Sequence, residues 1–154
     1  MRDRLEALLL SLILSSTVIA CRSSTTDPNS KVIQLKGRLI EFAKGNITEI
    51  EAQTAPGEMY ILLSGYPETV AEKQLPISEQ LRDKLKRIMP PQSSEMLVLA
   101  RITDDEVQEY TEWNYTGADY HPVLSPVPVV IKGSPYRIKR KPGRSAIVDF
   151  EIDN

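Results

Sequence analysis

The sequence has one cysteine, Cys21, and one histidine, His121, in 154 residues. A single cysteine permits no intrachain disulfide, no C-x-x-C redox pair and no cysteine-rich zinc site. A single histidine leaves no multi-histidine metal centre and no H-E-x-x-H motif. The glycine-rich phosphate loop and the G-x-S-x-G nucleophile elbow are also missing, so P-loop nucleotide chemistry and elbow-type hydrolysis have no anchor. No catalytic residue, metal ligand or cofactor is assigned from the residues present, and the expected protein is not an enzyme. An excess of either charge is lacking too: 19 Lys and Arg stand against 21 Asp and Glu, a formal charge of −2. That balance gives no electrostatic footprint for nucleic acid. Long apolar runs are scarce, and none reaches the roughly 20 residues that span a bilayer.

The one marked apolar stretch lies at the N-terminus. Arg2 and Arg4 precede an apolar segment over residues 7–20, small Ala20 follows, and the polar stretch RSSTTDPNS comes after Cys21. That order is the layout of a secretory signal. Val18-Ile19-Ala20-Cys21 resembles the lipobox of bacterial lipoproteins, with Val18 where leucine is commonest and with Asp3 and Glu6 offsetting the two arginines. The resemblance covers residues 1–21 only. It implies a diacylglyceryl group on the Cys21 thiol, cleavage between Ala20 and Cys21, and acylation of the new amine. Several acyl chains on one cysteine hold a protein at a membrane where a single chain binds only marginally. It also implies a location in the bacterial cell envelope, facing the periplasm or exterior. Arg22, rather than an aspartate, after the cysteine implies outer-membrane sorting if the source is an enteric Gram-negative bacterium. The expected organisation is a signal peptide over 1–20, a lipidated cysteine and flexible tether over 21–31, and one globular domain over 32–154.

Within the domain, residues 32–42 (VIQLKGRLIEF) read as a first strand. Ile33, Leu35 and Leu39 fall on one face, and Gly37 marks a bulge or bend. Gly45 suits a tight turn. Residues 47–53 read as the returning strand, and EMYILLS over 58–64 as a central buried strand completing a meander. Ser78 is a helix N-cap, and Leu81, Leu85 and Ile88 form the apolar stripe of one amphipathic helix over 79–89. Asp83 and Arg87 are spaced to pair along it. Residues 95–102 form a fourth strand. Residues 103–125 stay open between helix and strand: Thr103 with Glu106 matches a capping box, whereas Tyr110, Trp113 and Tyr115 suit a strand. Pro126 and Pro128 mark 126–131 as an edge strand. Residues 136–140 and 146–152 read as a hairpin. The expected class is α+β, mainly β. The order β-β-β-α-β-β plus a C-terminal hairpin resembles an OB-fold, a partly open barrel.

Two surfaces are candidate sites. Tyr110, Trp113, Tyr115, Tyr120 and His121 cluster in one segment, where aromatic faces could stack on sugars or bases. In an OB-like domain this segment is the loop between the fourth and fifth strands, which helps bind oligosaccharides and oligonucleotides. Lys132, Arg137, Lys139, Arg140, Lys141 and Arg144 form a cationic stretch suited to anionic headgroups. The acids 104–106, 109, 112 and 119 lack the calcium-loop pattern and read as a solvated face. The functional expectation is a lipid-anchored envelope module that binds an envelope polymer or partner protein. The alternative is an assembly subunit of an envelope complex, touching its partner through a sheet edge or the basic hairpin.

Overall fold

Ser30 opens a helix where the alternating pattern predicts a strand. In the computed structural model, which describes residues 24–64, 75–89, 95–143 and 146–154, helix α1 spans Lys31–Lys44. The signal segment, Cys21, Arg22, Pro90, Pro91, Arg144 and residues 65–74 lie outside the described residues. Val32, Leu35, Leu39, Phe42 and Ala43 are all buried, and their steps of three and four are helical spacing. The alternating reading skipped position 37. Gly37 instead sits on the open face of the helix, with nothing within 4 Å of where its Cβ would be.

Both ends of α1 are capped. The Ser30 hydroxyl accepts from the Ile33 amide at 3.4 Å. Gly45 turns left-handed at φ 83°. Its amide donates to Phe42 O at 3.1 Å, and the Asn46 amide to Glu41 O at 2.9 Å. That pair of bonds is a Schellman motif, in which glycine carries the positive φ at no steric cost. Gly45 therefore closes a helix, not a hairpin.

The strands are β1 (Glu49–Ala52), β2 (Glu58–Ser64), β3 (Met96–Thr103), β4 (Glu106–Asn114), β5 (Val123–Ser125), β6 (Val129–Ile131), β7 (Tyr136–Arg140) and β8 (Ile147–Asp153). They form two four-stranded sheets, ordered β1-β7-β8-β5 and β4-β3-β2-β6. The protein is α+β and mainly β. Among the described residues the OB-like order does not occur, because the first element is a helix and no barrel closes. The expected meander does not form either: β1 pairs with β7, not β2. The segment Ala55-Pro56-Gly57 carries the chain from one sheet to the other.

Helix α2 (Glu79–Ile88) and its Ser78 cap are as expected, with the cap accepting from the Leu81 amide at 3.1 Å. Asp83 reaches Lys86, at 3.9 Å, in place of the anticipated Arg87. Strands β7 and β8 pair antiparallel as the predicted hairpin, and β6 is the predicted edge strand. No helix opens at Thr103. Asp104 and Asp105 have φ 51° and 59°, and Thr103 faces Glu106. That geometry is a two-residue hairpin turn of the type favoured by right-twisted strands. Aspartate tolerates it better than most residues because its side chain bonds locally.

Strands β2 and β3 bury both faces, which is why their sequences run continuously apolar. Ile61, Leu63, Val98, Ala100 and Ile102 pack under α2 with Leu81 and Leu85. Leu62, Leu97 and Leu99 face the other way, into a core shared with α1 and the first sheet through Leu39, Phe42, Ile138 and Phe150. Helix α1 thus lies between the two sheets, and its polar edge borders the site described next.

Candidate functional site

The aromatic segment does not form the expected contact surface. Successive side chains of a strand point to opposite faces. The three-residue step from Tyr110 to Trp113 along β4 therefore sends Tyr110 toward α2 and Trp113 into the α1 core. Trp113 is 3 % exposed and His121 is 1 % exposed. The Trp113 indole N–H donates to His121 Nε2 at 2.9 Å. His121 Nδ1 lies 2.7 Å from Pro122 O. A carbonyl can only accept, so the proton sits on Nδ1 and the lone pair on Nε2 takes the indole hydrogen. Both ring nitrogens are committed to structure. Tyr115 stacks beside the imidazole with ring centres 5.7 Å apart. Lys36, held by Asp119 at 3.5 Å, lies over the Trp113 ring. Tyr110 and Tyr115 are half-buried, and Tyr120 is exposed, at 67 %.

This pairing makes stability pH-dependent. Burial pushes the His121 imidazolium below its ordinary 6.5, against the smaller pull of the Pro122 carbonyl. The unfolded chain then takes up a proton before the folded one does. Stability is intact above about pH 6.5 and falls as pH drops from there toward the lower folded value, at up to about 1.4 kcal/mol per pH unit. Thermal midpoints measured from pH 7.5 to 5 should show this slope. Because His121 is the only histidine, a His121→Gln chain should lose the slope in that range.

The basic hairpin is interleaved with acids. Arg137 pairs with Glu51 at 3.1 Å, Lys139 with Asp153 at 2.7 Å and Lys141 with Glu151 at 3.7 Å. Arg140 turns inward, with Nη2 donating to Phe42 O at 2.7 Å and Ala43 O at 3.3 Å. It thereby serves carbonyls of the last turn of α1, where a cation is favoured, sharing Phe42 O with the Gly45 amide. Of the cationic stretch expected over residues 132–144, Arg137, Lys139 and Lys141 are therefore paired with acids of neighbouring strands and Arg140 is turned inward. The acids of residues 104–119 are spread in the same way: Glu106 pairs with Lys84, Glu109 with Arg101 and Asp119 with Lys36.

The feature that gathers unused polar groups is a pocket of about 220 Å³ under the N-terminal half of α1. Lys31, Gln34 and Arg38 descend from one helical stripe. Gln53 follows β1, Tyr60 stands on β2 and Tyr136 opens β7, while Leu35 and Ala52 complete the wall. Arg38 is held by its Nη1, which donates to Glu51 O at 3.1 Å. Lys31 Nζ lies 3.3 Å from buried Glu58. Behind the pocket, Arg101 bridges Glu58 at 3.2 Å and Glu109 at 3.0 Å, and Glu109 accepts from the Val32 amide at 3.4 Å.

Tyr60 and Tyr136 are 6 % and 2 % exposed. Neither hydroxyl has a hydrogen-bond partner among the described residues, and neither is fully enclosed. Both residues line the pocket. Burial raises the pKa of both phenols, so both stay protonated and able to donate. Chemically the pocket is a set of donors backed by two cations, with no carboxylate in its wall. Sequence reading missed it because its stripe of positions 31, 34 and 38 exists only if the segment is a helix. The spacing i, i+3, i+7 was the available signal.

The chain matches no known family model, no curated protein and no solved structure.

Proposed function

We propose that the chain is a lipid-anchored cell-envelope protein whose folded domain is a non-enzymatic binding module. It takes an envelope polymer or a partner protein at the pocket beneath α1. The observation that supports the binding role is the pair of largely buried tyrosines lining the pocket beside Arg38 and Lys31, whose hydroxyls are not fully enclosed and have no hydrogen-bond partner among the described residues. Such hydroxyls are open to donate to an external acceptor. A bound group that accepts hydrogen bonds supplies one. The support for the address is the lipobox-like Val18-Ile19-Ala20-Cys21. No helix among the described residues is long and apolar enough to cross a membrane, and the proposed attachment is the lipid on Cys21.

Mass spectrometry of the protein from membranes should give a mature chain that begins at Cys21 and carries thioether-linked diacylglycerol. A Cys21→Ser chain should stay uncleaved and unlipidated. An unmodified cysteine in the membrane-derived protein would overturn the address. Binding is tested by co-sedimentation of the full-length protein, in detergent, with purified envelope polymer and with solubilised envelope proteins. Arg38→Gln should weaken retention about tenfold or more, since a hydrogen bond to a charged group is worth about 1.5–3 kcal/mol. Equal retention of the two chains would overturn the site.

A further inference from the structure

We infer that the pocket beneath α1 receives the terminal carboxylate of a peptide, together with its last, small residue. This rests on the binding role just proposed and adds the chemistry of the ligand.

Four observations carry it. The donors converge from separate elements: Arg38 from α1, Tyr60 from β2 and Tyr136 from β7. The two hydroxyls have no hydrogen-bond partner among the described residues, although their residues are more than nine-tenths buried. An acceptor with several lone pairs is what would complete them, and a carboxylate offers two oxygens with about four lone-pair sites.

Charge selects among acceptors. Lys31 and Arg38 bring two positive charges, and Glu58 against Lys31 cancels one. Arg101 and Glu109 offset each other behind the wall. The remaining single charge balances a monoanion. Arg38 is fixed by the Glu51 carbonyl through Nη1, which orients the guanidinium plane and leaves further N–H groups. That planar fork matches a carboxylate in two-point contact.

Size and lining point to the rest of the ligand. A volume of about 220 Å³ lies below the roughly 300 Å³ at which small-molecule pockets usually begin. The pocket therefore takes the end of a chain. Leu35, Ala52 and the faces of Tyr60 and Tyr136 give a small side chain an apolar wall. The amides of Gln34 and Gln53 can both donate and accept, as the preceding peptide group requires. Capture of a chain terminus by a fixed donor set is an established mode of peptide recognition.

The test is a titration of full-length protein in detergent, followed through the ring resonances of labelled tyrosine. The probes are N-acetyl-L-alanine, N-acetyl-D-alanine, N-acetylalaninamide and dimethyl phosphate. At least one acetylated amino acid should give a saturable shift at Tyr60 and Tyr136, with the L or D preference separating protein termini from wall-type peptides. The amide should give none. Arg38→Gln and Tyr136→Phe should each weaken carboxylate binding about tenfold or more. Tyr136→Phe keeps the packed ring, so its loss is not a loss of fold. Equal binding of acid and amide, tighter binding of dimethyl phosphate, or carboxylate binding indifferent to Arg38→Gln would overturn the inference. If the small carboxylates fail while Arg38→Gln still releases the protein from envelope material, the ligand class is wrong and the binding role stands.

Discussion

Trp113→Ala should destabilise the domain by about 3–5 kcal/mol, the cost of truncating a buried aromatic. The side chain fills the core shared by α1 and both sheets. Its removal also strips the only donor from His121 Nε2, leaving a buried acceptor open, which adds cost in the same direction. Urea or thermal unfolding of the full-length chain measures this directly. Tyr120→Ala is the matched control, because that ring is exposed and surface truncations usually stay within about 0.5 kcal/mol. The comparison separates two roles for the aromatic segment. A ligand-contact tryptophan would lose binding with its fold intact. A core tryptophan loses the fold, and an unchanged unfolding midpoint in Trp113→Ala would refute its placement.

Arg101→Met should cost about 3 kcal/mol, because removing one partner of a buried ion pair strands the other. Arg101 holds Glu58 at 3.2 Å and Glu109 at 3.0 Å, and Glu58 is buried. Lys31 remains beside Glu58 but lies at the surface. The pH dependence identifies the mechanism. Burial alone raises the Glu58 pKa and is the largest single influence. The Ala55 amide, Lys31 and Arg101 together outweigh it and hold the carboxyl below its ordinary 4.5. A carboxyl with a lowered folded pKa stabilises fully above about pH 4.5 and loses that contribution as pH falls through the folded value. In Arg101→Met the folded carboxyl moves up toward its unfolded value, so the part of the acid-side loss of stability that belongs to Glu58 should shrink. Pairing it with Glu58→Gln should recover part of the loss, since the stranded charge is then gone. A double variant no more stable than Arg101→Met would show that the arginine acts through packing alone.

Much of the architecture was legible because burial leaves a local imprint. EMYILLS is apolar throughout because β2 has neighbours on both faces. Leu81 and Leu85 recur at helical spacing because α2 buries one side. The prolines at 126 and 128 sit beside a strand that pairs on one edge only. The hairpin of β7 and β8 followed from two alternating runs and a turn. In each case the pattern that identifies the element is contained within it.

The first helix shows where local pattern stops deciding. Residues 32–42 hold apolar positions that satisfy either period in part, and the choice fell to Ser30, Gly45 and Arg140, the last drawn from a strand nearly a hundred residues away. Tyr110 and Trp113 look like one cluster in sequence and stand on opposite faces of β4. The cations of residues 137–141 look like a patch until Glu51, Asp153, Glu151 and the α1 carbonyls are placed against them.

By itself, then, the sequence determined the α+β class, the second helix, the inner strands and the C-terminal hairpin, because each depends on which of its own faces is buried. Tertiary structure alone decided the identity of the first element, the burial of Trp113 against His121, the neutralisation of the basic hairpin and the pocket of Arg38, Tyr60 and Tyr136. Those depend on contacts between residues far apart in the chain, and a contact of that kind leaves no period in the residues on either side of it.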